Sequence, residues 1–184
     1  MARQNRRDMF DPNKVGAFHA AQRTVRRAWI CGLDPVSGKS FEHRRTWIQN
    51  RLQELAASFG IDCLSFAVMV NHVHVILRNR PDIVALWSDE EVAKRWWQMY
   101  PLRKNKDKTP AVPTEGELKM LMTPVRSKQL RSRLSDISWW MRSLAVPPPN
   151  ASLALTTKMD GPNRLCKRKR LHFTQLHPAK KRTA

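Results

Sequence analysis

Acidic residues are scarce in this chain. It carries 15 Asp and Glu against 34 Lys and Arg over 184 residues, a formal net charge of +19 and a pI near 11.1. Like charges repel across a folded domain, so an excess of this size points to a polyanionic partner, nucleic acid before a membrane surface. Cysteine is nearly absent as well: Cys31, Cys63 and Cys166 stand far apart, with no Cys-x-x-Cys pair. That spacing argues against a zinc ribbon or a disulfide framework and fits a reducing cytoplasm, each cysteine serving as a small apolar residue. No run approaches the roughly 20 apolar residues of a membrane-spanning helix. The segment Met1–Asp8 is basic but lacks the apolar core of a secretory signal, so a cytoplasmic chain without a membrane partner is expected. Tyrosine is scarcest of all, represented by Tyr100 alone.

What is present suffices for a core. With 41% hydrophobic residues and seven tryptophans, the chain is expected to form one main domain. The segment 15–33 alternates loosely and is rich in arginine (Arg23, Arg26, Arg27), which reads as a strand with a basic face. Asp34–Lys39 is turn chemistry, and its Gly38-Lys39-Ser40 triplet lacks the upstream glycine of a phosphate-binding loop. Ile48, Leu52, Leu55 and Phe59 mark one face of a helix over 41–59, with Gly60 at the position favoured for a left-handed cap. Segments 61–70 and 72–77 read as two strands, the second ended by Arg78-Asn79-Arg80-Pro81. Ser88-Asp89-Glu90-Glu91 is a capping box opening a helix, and Thr114-Glu115-Gly116-Glu117 repeats that signature. After Pro124, the residues Leu130, Leu134, Ile137, Met141 and Leu144 lie on one stripe of a single helix. The order of elements predicts an α+β fold, an antiparallel sheet with helices packed on one face, over residues 8–145.

Beyond Val146 the character changes. Pro147-Pro148-Pro149 stops the helix, and residues 146–184 hold nine Lys or Arg against one acid, Asp160. This reads as a disordered basic tail whose densest cluster is Lys167-Arg168-Lys169-Arg170. Such a tail either holds DNA non-specifically or was never selected for structure, for instance as an out-of-frame ending; composition favours neither.

The feature with the most chemistry is Asn71-His72-Val73-His74, set between Phe66–Val70 and Val75–Leu77. Two histidines one residue apart in a strand share a face, with Cα atoms roughly 6–7 Å apart, so both rings can converge on one divalent ion. Strand histidines bonded to backbone are the bland alternative. A metal rimmed by Arg23, Arg26, Arg27, Arg78 and Arg80 would make a phosphodiester site, served by a bound water or a side-chain hydroxyl as nucleophile.

The run Phe66–Leu77 resembles the His-hydrophobic-His signature of the single-tyrosine (HUH-type) transposases of bacterial insertion sequences, particularly the REP-associated tyrosine transposases. Phe18–Arg23 with Val25–Trp29 is similar to that group's first strand, and Ser135–Arg142 resembles its late helix. The resemblance implies a ferredoxin-like or RRM-like fold that cuts and rejoins single-stranded or hairpin DNA. It implies that His72 and His74, with one further polar ligand, hold Mg²⁺ or Mn²⁺, that a tyrosine forms a 5′-phosphotyrosine link, and that the protein works as a homodimer. The late helix carries Trp139 and Trp140 where that tyrosine should stand, which leaves Tyr100 as the candidate nucleophile. The family's Gly- and Trp-containing continuation is not recognisable after residue 145, so the resemblance is to a truncated or frameshifted member. Two other readings are a non-catalytic nucleic-acid-binding module on an RRM-like sheet and a metal-dependent nuclease that uses water.

Overall fold

The computed structural model describes residues 11, 13–23, 29–107 and 109–145, together with the backbone of 171–176. Strand β1 spans Gly16–Arg23, helix α1 His43–Ser58, β2 Ile61–Val68 and β3 His72–Asn79. Helices α2 (Pro81–Leu86), α3 (Asp89–Met99), α4 (Glu115–Leu121), α5 (Pro124–Leu134) and α6 (Ile137–Leu144) follow, and β4 is Leu171–Leu176. The class is α+β, as expected. The strands form one antiparallel sheet in the order β2-β3-β1-β4.

Alternation along β3 separates the two faces of this sheet. Val73, Val75 and Leu77 are buried in one cluster with Ile48, Leu52 and Leu55 of α1, Trp96 of α3, Leu130 and Leu134 of α5, and Trp140 and Met141 of α6. Each such side chain contributes about 1.5–3 kcal/mol relative to full exposure. The intervening His72, His74, Ile76 and Arg78 lie on the opposite face and are half-buried. The helices therefore pack on one face and leave the other open among the described residues.

Several boundaries depart from the sequence reading. Strand β3 runs two residues past Leu77 because Asn79, fully buried, is stitched to the start of β1. Its Oδ1 accepts the Gly16 N–H at 2.8 Å and its Nδ2 donates to the Lys14 carbonyl at 2.9 Å. Pro81 does not merely stop the strand; it opens α2 from the first turn, where a missing N–H costs nothing. The long late helix is two helices. At the break, Asp136 accepts the Ser138 N–H at 2.6 Å as the cap of α6, while the Ser135 hydroxyl turns back to the Arg131 carbonyl at 3.2 Å. The apolar stripe survives the break, since Leu130, Leu134, Ile137, Met141 and Leu144 are all buried.

The basic segment 146–184 contains β4, whose backbone pairs with β1 from Leu171↔Gln22 to Leu176↔Ala17. For 171–176 the expectation of disorder is corrected: β1 offers an unpaired edge, and the segment satisfies those backbone groups. The rest of that segment, including Lys167, Arg168, Lys169 and Arg170, lies outside the described residues, as do Arg26 and Arg27.

Gly60 is also not a left-handed cap, because the preceding Phe59 is already extended at φ −93° and ψ 153°. Its requirement is space. A Cβ there would stand 2.0 Å from Val84 Cγ2 and 3.4 Å from the Arg80 carbonyl oxygen. The Gly60 N–H donates to Leu134 O at 3.0 Å and its carbonyl accepts from Arg80 N at 2.9 Å, so the backbone cannot retreat. Gly60→Ala should therefore destabilise the fold by about 1–3 kcal/mol in chemical denaturation, the usual cost of overpacking. A neutral or stabilising result would contradict this account.

Candidate metal and nucleic-acid face

The β2–β3 connection turns tightly, with Met69 N donating to His72 O at 2.8 Å. It brings Asn71 beside the first histidine, and His72 Nδ1 lies 2.6 Å from Asn71 Oδ1. An amide oxygen accepts only, so the imidazole donates from Nδ1 and carries its lone pair on Nε2. The second histidine is anchored across the sheet. His74 pairs with Ala21 in the register of β1, and His19, two residues earlier, shares its face. His74 Nδ1 and His19 Nε2 are 2.8 Å apart, and either ring can donate according to its tautomer. The His19 and His74 rings lie nearly parallel, centroids 5.0 Å apart, while His72 meets His74 edge-on at 4.8 Å.

The structure thus brings together His72, His74 and His19, and adds Arg23, the register partner of His72. Each of the two rings has a side-chain partner, Asn71 for His72 and His19 for His74. His19 was legible as a strand residue; what sequence reasoning missed is that it pairs with His74, and the signal lay in their shared strand parity. Among the described residues, no group of three or more His, Cys, Asp or Glu is disposed to hold a metal ion.

The cations of the rim divide into two kinds. Arg78 pairs with Asp62 at 2.7 Å, and Arg80 pairs with Asp82 at 2.8 Å, so both are locally neutralised. Arg23 is in no ion pair among the described residues and lies close enough to His72 to act on its charge.

Tyr100 lies elsewhere. It ends α3 and packs against the core cluster on the helical side of the sheet, its ring 4.5 Å from that of Trp96 and 6.2 Å from that of Trp139. Its hydroxyl is hydrogen-bonded to Ser143 Oγ. Because Ser143 Oγ donates to the Trp139 carbonyl at 2.8 Å, the phenol is the donor in that bond. The structure therefore does not bring Tyr100 together with His72 and His74.

No family model, curated protein or solved structure matches this chain. Its chemistry must be argued from the face itself.

Burial, with the charges of His74 and Arg23 adding, holds the His72 imidazole below its ordinary value of 6.5. The unfolded chain then takes up this proton first as the pH drops. The contribution of His72 to stability is present above pH 6.5 and is lost as pH falls through the folded value. A histidine-resolved NMR titration should give His72 a midpoint under 6.5, and Arg23→Gln should move that midpoint upward. A midpoint at or above 6.5 would overturn the assignment of causes.

Proposed function

We propose that this chain is a DNA-binding protein of the HUH single-tyrosine transposase type, with a ferredoxin-like or RRM-like sheet whose open face presents His72 and His74 to a divalent cation. One observation carries the reading: each histidine of the pair has its Nδ1 held by a second side chain, Asn71 for His72 and His19 for His74. Metal-ligating histidines are typically held in this way, through the nitrogen that does not touch the ion. In the tautomer where His74 donates to His19, both Nε2 lone pairs are available, and the two rings are 4.8 Å apart. The pair fits as a partial ligand set, its remainder coming from water and phosphate oxygens.

Mg²⁺ or Mn²⁺ bound there would polarise a phosphodiester and offset charge developing on it. The chain's own residues have the simpler tasks. Asn71 and His19 fix the imidazole orientations, and Arg23 adds positive charge beside His72 for a backbone phosphate. Arg78 and Arg80, paired with acids, contribute little to affinity. Single-stranded or hairpin DNA suits an open sheet face on a chain whose net charge is +19. A homodimer belongs to the same reading.

A second reading is favoured by one specific observation. Tyr100 donates its hydroxyl proton to Ser143 within the helical layer, away from His72 and His74, where a nucleophile would be needed. On that ground the face would bind nucleic acid without cutting it.

Incubating the full chain with hairpin oligonucleotides and Mn²⁺, followed by denaturing electrophoresis, separates the two. The transposase reading expects a covalent protein–DNA adduct that is lost in His72→Ala and in Tyr100→Phe. Salt-dependent binding with no adduct, indifferent to chelator and to His74→Ala, would leave only the binding module. An absence of DNA binding would overturn both. Calorimetric Mn²⁺ titration provides a separate check: His19→Ala should weaken binding by about 10–100-fold, the usual effect of removing a residue that orients a ligand. Unchanged affinity would remove His19 from the site.

A further inference from the structure

The helical layer carries a second cationic surface, and its arginines are arranged differently from those on the sheet. Arg126 and Arg133 stand two turns apart on one side of α5, and Arg142 projects from α6. Among the described residues none of the three takes part in an ion pair, whereas Arg45, Arg51, Arg78, Arg80, Arg95, Arg103 and Arg131 all do. Arg133 and Arg142 instead flank one indole. Their guanidinium carbons lie 4.6 and 4.9 Å from the Trp139 ring centroid.

Trp139 is half-buried, held edge-on against Trp96 at 5.8 Å and Tyr100 at 6.2 Å. Its neighbours in the sequence and core, Trp96, Trp97 and Trp140, are buried and unavailable for stacking. The hydrogen bond from Tyr100 to Ser143 sets the floor of this surface, and Ser143 Oγ in turn holds the Trp139 carbonyl. A ring with two guanidinia over it and a third cation nearby matches a nucleotide, phosphates on the guanidinia and a base stacked on the guanidinium and indole planes. An acidic peptide would use the charge but has no need of the ring. The basic 146–184 segment, with Asp160 as its one acid, is not suited to neutralise the surface.

We propose that Trp139, with Arg133, Arg142 and Arg126, forms a stacking-and-phosphate site for single-stranded nucleic acid on the helical side of the protein. This rests on the reading of the partner as nucleic acid but not on metal binding or cleavage. The site would hold a strand at a second place, separate from the open sheet face.

Fluorescence anisotropy of the full chain with a labelled oligo-dT, in the presence of chelator and over a range of salt, tests it. Trp139→Leu should weaken binding about tenfold, the loss of one stacked base. The pair Arg133→Gln and Arg142→Gln should lower the slope of log affinity against log salt by about 1.4, the share of two phosphate contacts on a single strand. An oligonucleotide carrying 5-iodouracil should photo-crosslink to the peptide containing Trp139 in the unmodified protein, a readout independent of any variant's folding. The inference is overturned if the unmodified protein binds oligo-dT while the variants keep its affinity and slope and the crosslink falls elsewhere. Polyglutamate binding that depends equally on Trp139 would also overturn it, in favour of an acidic peptide. Failure of the unmodified protein to bind any oligonucleotide would remove the nucleic-acid reading together with this site.

Discussion

Strand β3 is paired on both sides, to β2 and to β1, and it must satisfy two faces as well as two neighbours. A central strand in an antiparallel sheet has no freedom to slip, because a shift of one residue would drive every buried side chain to the wrong side. The register that buries Val73, Val75 and Leu77 under the helices leaves His72 and His74 on the other face. Core formation and placement of the histidine pair are therefore one event. The same register brings His19 within reach of His74, and it sets Arg23 opposite His72.

The two faces do different electrostatic work. On the open side, the arginines at the far end of β3 are tied to Asp62 and Asp82, while Arg23, beside His72, is in no ion pair among the described residues. On the helical side, acids and bases pair along the outer surfaces of α3 and α4, as in Glu91 with Arg95 and Glu115 with Lys119. These exposed pairs add little stability. Arg133 and Arg142, in no ion pair among the described residues, lie instead over the ring of Trp139.

Much of this architecture was legible in the sequence because it follows from local periodicity. The stripe Ile48-Leu52-Leu55 needs only the helical repeat, and the histidine face needs only the strand repeat. The capping residues Ser88 and Thr114 act within their own first turns, and both receive the expected backbone N–H. What local reasoning could not reach depends on partners distant in sequence. Gly60 looked like a cap, yet its constraint is Val84 and Arg80 across a turn. The late stripe looked like one helix because both pieces bury the same face, and only the Ser135 and Asp136 hydrogen bonds reveal the break. Tyr100 was the chain's only phenol, and nothing local indicated that Ser143, 43 residues later, accepts its proton. The strand at 171–176 shows no strong period, since its pairing is a matter of backbone groups at an available edge.

The break between α5 and α6 has a consequence for how the helical surface can exist at all. Arg133 travels with one helix, while Trp139 and Arg142 travel with the next. Their mutual spacing is thus a property of the corner rather than of either segment. An expanded chain with native-like helices would keep every charge and still lack the sandwich of ring and guanidinium. Through that corner, the surface becomes a reporter of whether the two helices have docked.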